Sequence, residues 1–209
     1  MVELIDNLLQ TLSSLAAFAG GAILFSRRRK LPYFLLTCFY GLFTLGTLYW
    51  TLHYALLNET PSIFYISDIP WVASFVFLLL LEQNVSTDEE KKTRHPIRWL
   101  VPLLFGLLTL YYCTHGDILS NLCYYAITAS AAWYAVGGLI HARRQGNPPG
   151  GRGRFHLSVL IILVLEHCLW TASCFWVSDT LTNPYFWFDF MLSASFWPLL
   201  GATGRVVGE

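Results

Sequence analysis

Glu166 is the most costly residue of this chain. It stands inside the apolar run LVLEHCLW, next to His167. A carboxylate held in the middle of such a run, away from water, costs roughly 2.5–3.5 kcal/mol on membrane-insertion scales. It is expected to face the inside of a helix bundle, to anchor a ligand, to accept a proton or to tie helices together by hydrogen bonds. His167 follows about 100° round the helix, so the two side chains need not serve one site. His53 lies in YWTLHY; a lone histidine there is a hydrogen-bonded packing residue, a ligand or a base. Neither histidine has a second His or Cys at i+3 or i+4, so no metal site is expected. No cofactor motif is present either, and no residue is assigned as catalytic.

Three aspartates begin, or nearly begin, apolar runs: Asp68, Asp117 and Asp189. A carboxylate at a helix start complements the positive end of the helix dipole. Their other reading is a set of acids around a common vestibule, which Asp189 favours because it lies more than a turn past Pro184. Aromatic residues crowd the same level, among them Trp50, Trp71 and Trp170. Part of that crowd is an interfacial belt. Acids and aromatics together suit a cationic or amphipathic ligand, held by charge and by cation–π contact. The expected ligand-binding set is therefore Glu166, Asp68, Asp189, His53, Trp50, Trp71 and Trp170. The motifs His-Glu-x-x-His, Gly-x-Ser-x-Gly and the P-loop do not occur. The last apolar run has no lysine, so a retinal Schiff base has nowhere to form.

The elements that must position these residues are membrane helices. Of 209 residues, 55% are hydrophobic and 12% charged, about half the charge of a soluble domain. Seven runs approach the ~20 apolar residues a span requires: 4–25, 31–57, 66–83, 97–113, 117–141, 155–177 and 184–203. They are continuous rather than alternating, which excludes barrel strands. The expected fold is all-α: a single domain over 1–209 made of one leading helix and three similarly oriented hairpins. The thirteen Lys and Arg residues follow the first, third, fifth and seventh runs and are missing from the loops between. By the positive-inside rule the N-terminus is outside and the C-terminus cytoplasmic. Glu3 and Asp6 stand where a signal peptide would be basic, so the first helix is expected to be retained. The basic loops face anionic inner-leaflet lipid, and a nucleic-acid partner is not expected. Residues 84–96 and the Gly/Pro-rich 142–154 read as polar loops, the second as a flexible tether. Five cysteines lack Cys-x-x-Cys spacing and read as apolar packing residues.

The chain also repeats itself. Trp50-Thr51 and Asn58-Glu59-Thr60 match Trp170-Thr171 and Ser178-Asp179-Thr180. Asp68 with Ala73-Ser74-Phe75 matches Asp189 with Ala194-Ser195-Phe196. The stretch GLFTLGTLYWTLHYALLNETPSIFYISDIPWVASFVFLLLL resembles a hairpin in the seven-helix membrane regions ahead of some bacterial diguanylate cyclases and histidine kinases. It also looks like uncharacterised stand-alone multi-pass proteins of Gram-positive anaerobes. The resemblance implies a multi-pass protein of the bacterial plasma membrane that receives a signal in the membrane or outside it. The chain ends at Glu209 without a cyclase or kinase domain, so a cytoplasmic or membrane partner would carry the output. The leading expectation is a receptor- or sensor-like module for a small-molecule or lipid ligand, without an output of its own. The alternatives are a small transporter or channel subunit, and an intramembrane lipid-modifying enzyme. The last requires two of Glu166, His167, His53 and Asp189 to meet within hydrogen-bonding distance.

Overall fold

The computed structural model describes residues 2–59, 61, 65–144 and 150–208, apart from the side chains of Tyr65 and Ser67. Every regular element among them is helical: α1 (Val2–Arg28), α2 (Leu31–Leu57), α3 (Tyr65–Val85), α4 (Asp88–Lys92), a 3-10 turn (Pro96–Trp99) leading into α5 (Leu100–Tyr112), α6 (Ile118–Arg144), α7 (Gly151–Phe175) and α8 (Pro184–Val206). Each of the seven apolar runs is thus a helix. Four of the described helices are long and apolar enough to cross a membrane: Val2–Arg28, Leu31–Leu57, Asp68–Val85 and Gly151–Phe175. The stretch Pro96–Tyr112 is apolar but shorter.

Local chemistry sets the ends. Arg29 takes a positive φ of 52° and donates its N–H to the Phe25 carbonyl at 2.8 Å, which closes α1. Pro32 sits in the first turn of α2, where a missing N–H costs nothing. Only two residues separate these helices, so they pack as an antiparallel hairpin. Asn58 ends α2 in the left-handed region, its N–H bonded to the Tyr54 carbonyl at 2.9 Å; asparagine tolerates that conformation better than most residues. The segment 84–96 is more than a polar loop. Thr87 and Glu90 form a reciprocal capping box on α4, which satisfies two otherwise orphaned N–H groups. The tether expected over 142–154 is helical at both ends, since α6 runs to Arg144 and α7 starts at Gly151. Residues 145–149 between them lie outside the described residues.

The helices are amphipathic in the inverted sense. On α1 the polar residues Asp6, Asn7, Gln10, Thr11 and Ser14 are buried, whereas Ile5, Leu8, Leu9, Leu12 and Leu15 are exposed. Water would reverse that arrangement; hydrocarbon favours it, because polar groups are then satisfied inside the bundle. Along the α1–α2 seam the Thr11 and Thr51 hydroxyls lie 2.8 Å apart, and Thr51 donates to the carbonyls of Asn7 and Thr47 at 3.1 and 2.8 Å.

Six helices close a ring. α1 packs on α2, α2 on α3, α3 on α6, α6 on α7, α7 on α8, and α8 back on α1, while α5 lies outside against α6 and α7. An aromatic cluster fills the centre. Phe39 meets Phe75 and Phe196 edge-on at 6.0 and 5.8 Å between centroids, and Phe43 meets Phe196 at 5.0 Å. Pro198 interrupts the α8 hydrogen-bond ladder, since it has no N–H for the carbonyl four residues back. Beside that break Tyr40 donates its hydroxyl to the Phe196 carbonyl at 2.6 Å.

Candidate functional site

Polar side chains gather at both ends of the ring, above and below the aromatic cluster. The upper end, where α1, α3, α6 and α8 begin, holds a cavity of about 410 Å³. Successive polar positions of α1 supply one wall, Glu3, Asn7 and Gln10, and Trp50 of α2 and Trp71 of α3 a second. Glu166, Trp170 and Ser173 of α7 supply the third, the segment 176–179 forms the rim, and Phe43 closes the floor. Among the described residues no Lys, Arg or His lines it.

The walls are placed by identifiable contacts. Trp50 and Trp71 lie 5.9 Å apart between ring centroids. The Trp71 indole rests on Gly46, where an added Cβ would stand 2.6 Å from Nε1. Glu3 donates its N–H to Asp179 at 2.8 Å, joining the start of α1 to the rim. Asn183 caps α8 by accepting the Tyr185 N–H at 3.0 Å and donates to the Ser178 carbonyl at 2.9 Å, which ties the rim to the helix. Beneath Glu3 and Asn7, the Asp6 carboxyl lies against that of Asp189, and Gln10 donates its side-chain N–H to Asp189.

A second void of about 30 Å³ opens between α3, α6 and α7, lined by Asp68, Trp71, Ser120, Asn121, Tyr124, Glu166 and Trp170 among others. Trp71, Glu166 and Trp170 therefore stand between the two spaces. Trp170 and Tyr124 lie beside the Glu166 carboxyl, yet Glu166 Oε2 hydrogen-bonds to no other protein group.

Five of the sequence-predicted residues line these two spaces: Glu166, Trp50, Trp71 and Trp170 face the cavity, and Asp68 faces the smaller void. Asp189 is a layer below, held by Gln10 and Asp6. His53 is not brought to the site. It sits near Tyr49 at 5.9 Å between centroids, about 200° round α2 from the buried Thr51 face. His167 turns away from Glu166 and stacks on Phe105 at 3.6 Å. Asp117 caps the exposed end of α6, and the Ser120 N–H at 2.7 Å holds its carboxyl below the ordinary range. Sequence reasoning passed over Asn7 and Gln10, although Glu3, Asp6, Asn7, Gln10, Thr11 and Ser14 recur at helical spacing in an otherwise apolar segment.

The lower end holds a buried ionic cluster that sequence reasoning also missed. His156 of α7 places Nδ1 2.6 Å from Glu82 of α3 and Nε2 3.4 Å from Glu90 of α4, and all three side chains are buried. Burial alone would raise Glu90. Its hydrogen bonds with His156 and with the Thr87 backbone outweigh that and hold its carboxyl at about 2. Beside the cluster the Arg98 guanidinium is buried too, donating to the carbonyls of Thr93, Lys91 and Trp133 at 2.5, 3.1 and 3.2 Å.

Among the groups described, the cavity alone combines room for a molecule, charge of one sign and aromatic walls. No known protein family, curated protein or solved structure matches the chain.

Proposed function

We propose that this chain is a receptor- or sensor-like multi-pass protein of a bacterial plasma membrane, with seven helices crossing and the N-terminus outside. It binds a small amphipathic cation in the upper, outward-facing cavity and passes that occupancy to a partner protein. The orientation rests on the basic residues, which lie at the lower end of the ring. A parallel repeat of the α2–α3 hairpin in α7–α8 agrees with the packing of the two helices within each pair.

The observation that carries the ligand reading is the make-up of the cavity. Glu3 and Glu166 provide charge with no basic residue on the walls, and Trp50, Trp71 and Trp170 provide aromatic faces. An ammonium group gains from both, and more so where water is excluded. The aromatic cluster under Phe43 separates the cavity from the lower end, which favours binding over conduction. The enzyme alternative is disfavoured, since no hydrogen bond among the described residues joins any two of Glu166, His167, His53 and Asp189.

Tryptophan fluorescence in lipid nanodiscs tests the reading. Titration with decylammonium is expected to give a saturable change that decanol does not, weakened on the order of 10-fold by Glu166→Gln. Equal responses to amine and alcohol would overturn it. A reporter active only outside the cytoplasm should work when fused after Val177 and fail after Arg144; the opposite result would overturn the orientation.

A further inference from the structure

Two carboxyl oxygens of the smaller void's lining residues, Asp68 Oδ1 and Glu166 Oε2, are buried without a hydrogen bond to any other protein group, and the Tyr124 hydroxyl lies beside the Glu166 carboxyl. Glu166 is 7% exposed, so its free oxygen has no recourse to bulk solvent. The void's about 30 Å³ admits two or three water-sized bodies at ~10–15 Å³ each. Two of its walls are carboxyl groups, and no Lys, Arg or His among the described residues faces them. Asp117, ionised at the exposed start of α6, adds a third negative charge felt at Asp68.

We propose that the space between Asp68 and Glu166 is a binding site for a dehydrated monovalent cation of about the size of sodium. A buried pair of carboxylates is tolerable only with a counter-charge or a proton between them. The remaining walls offer further oxygen donors, the Tyr124 and Ser120 hydroxyls and the Asn121 amide. These are hard ligands, which suit alkali ions rather than transition metals. Magnesium keeps several of its waters, for which the void has no room; calcium is of sodium's size, and titration with each ion separates the two. Because Glu166 and the two tryptophans wall both spaces, the ion sits beside the amine site and competes with it for the same carboxylate. The inference does not require the amine reading, since Asp68 faces the smaller void and not the cavity.

The full chain in nanodiscs at pH 8 provides the test, with sodium chloride exchanged for N-methyl-D-glucamine chloride at constant ionic strength. The melting temperature and the tryptophan emission are expected to respond to sodium saturably. Asp68→Asn and Tyr124→Phe should weaken that response on the order of 10-fold, and Glu166→Gln should abolish it. No difference between the two salts, a response unchanged in Asp68→Asn, or a response to calcium and none to sodium would each overturn the site. Decylammonium titration of Asp68→Asn without sodium separates the two readings. Retained amine binding there leaves the cavity intact whatever sodium does. Should Glu166→Gln fail to fold, the Asp68 and Tyr124 variants still decide the matter.

Discussion

Replacing Gly138 by alanine adds one methyl group where the lower cluster has no room for it. A Cβ at this position of α6 would stand 2.3, 2.4 and 2.6 Å from Nε2, Cδ2 and Cε1 of His156. Ordinary contact begins near 3.5 Å, so the shortfall is about 1 Å. The ring has nowhere to swing, because Nδ1 is held 2.6 Å from Glu82 and Nε2 3.4 Å from Glu90. Either α6 and α7 separate, an overpacking cost of about 1–3 kcal/mol, or the ring leaves its carboxylates, which costs about 3–5 kcal/mol for a broken buried pair. Alanine's better helix propensity returns at most ~1 kcal/mol. The net expectation is a loss of about 2–4 kcal/mol. Gly201→Ala is the matched control, since nothing lies within 4 Å of its added Cβ; it should gain up to ~1 kcal/mol. At about 2–4 °C per kcal/mol for a chain of this size, the two melting temperatures should differ on the order of 10 °C in nanodiscs. Gly138→Ala should also lose most of its penalty in a His156→Ala background, where the obstructing ring is gone. Equal melting temperatures for the two alanine variants, or a full penalty without the ring, would refute the reasoning.

Glu90 makes the lower end sensitive to acid. Its folded value of about 2 lies below the ordinary glutamate value of 4.5, so its contribution is complete above the unfolded value and is lost as pH falls toward about 2. Glu90→Gln should flatten the stability profile in that window, as read by melting temperature against pH. Tyr40→Phe removes the hydroxyl that meets the Phe196 carbonyl beside Pro198 and should cost about 1 kcal/mol with no effect on amine binding, as melting and titration of the same sample will show. Asn183→Ala removes both the α8 cap and the tie to Ser178. It should cost ~1 kcal/mol and raise hydrogen exchange in residues 176–183 above that in the body of α8.

The helices were legible because continuous apolar runs leave few alternatives, and the caps at Asn58 and Asn183 use ordinary end chemistry. Most of the upper site was legible as well: Glu166 announced itself by its cost, and Trp50, Trp71 and Trp170 by their common level. The inward stripe of α1 carried a readable signal, polar residues at helical spacing in an apolar helix, and Asn7 and Gln10 follow from it. The capping box at Thr87 and Glu90 was equally present in the spacing. The Glu82–His156 pair was not, because 74 residues separate the partners and only the packing of α3, α6 and α7 joins them. The face that His53 presents likewise depends on which side of α2 meets α1, and that is settled by the Thr11–Thr51 contact rather than by any local feature.

The vertical order of the groups bears on what the cavity can be for. Desolvation penalises a charge most where no water or polar neighbour can reach it. The ring keeps that zone for Phe39, Phe43, Phe75 and Phe196 and holds its ionisable side chains above and below. Glu166 and His156 lie ten residues apart on α7, about 15 Å along one helix, the first beside the cavity and the second within the ionic cluster. A conducting path would need polar groups at intermediate depth. The α7 residues between them, Leu157 to Leu165, are apolar apart from Ser158, and Val159, Ile162 and Leu163 are buried in the core. On the proposed reading, a site with an entrance, an acidic and aromatic wall and a close-packed floor retains its ligand. Any message from it must travel through the helices that form its walls. Of these, α3 and α7 each carry a member of the ionic cluster, Glu82 and His156.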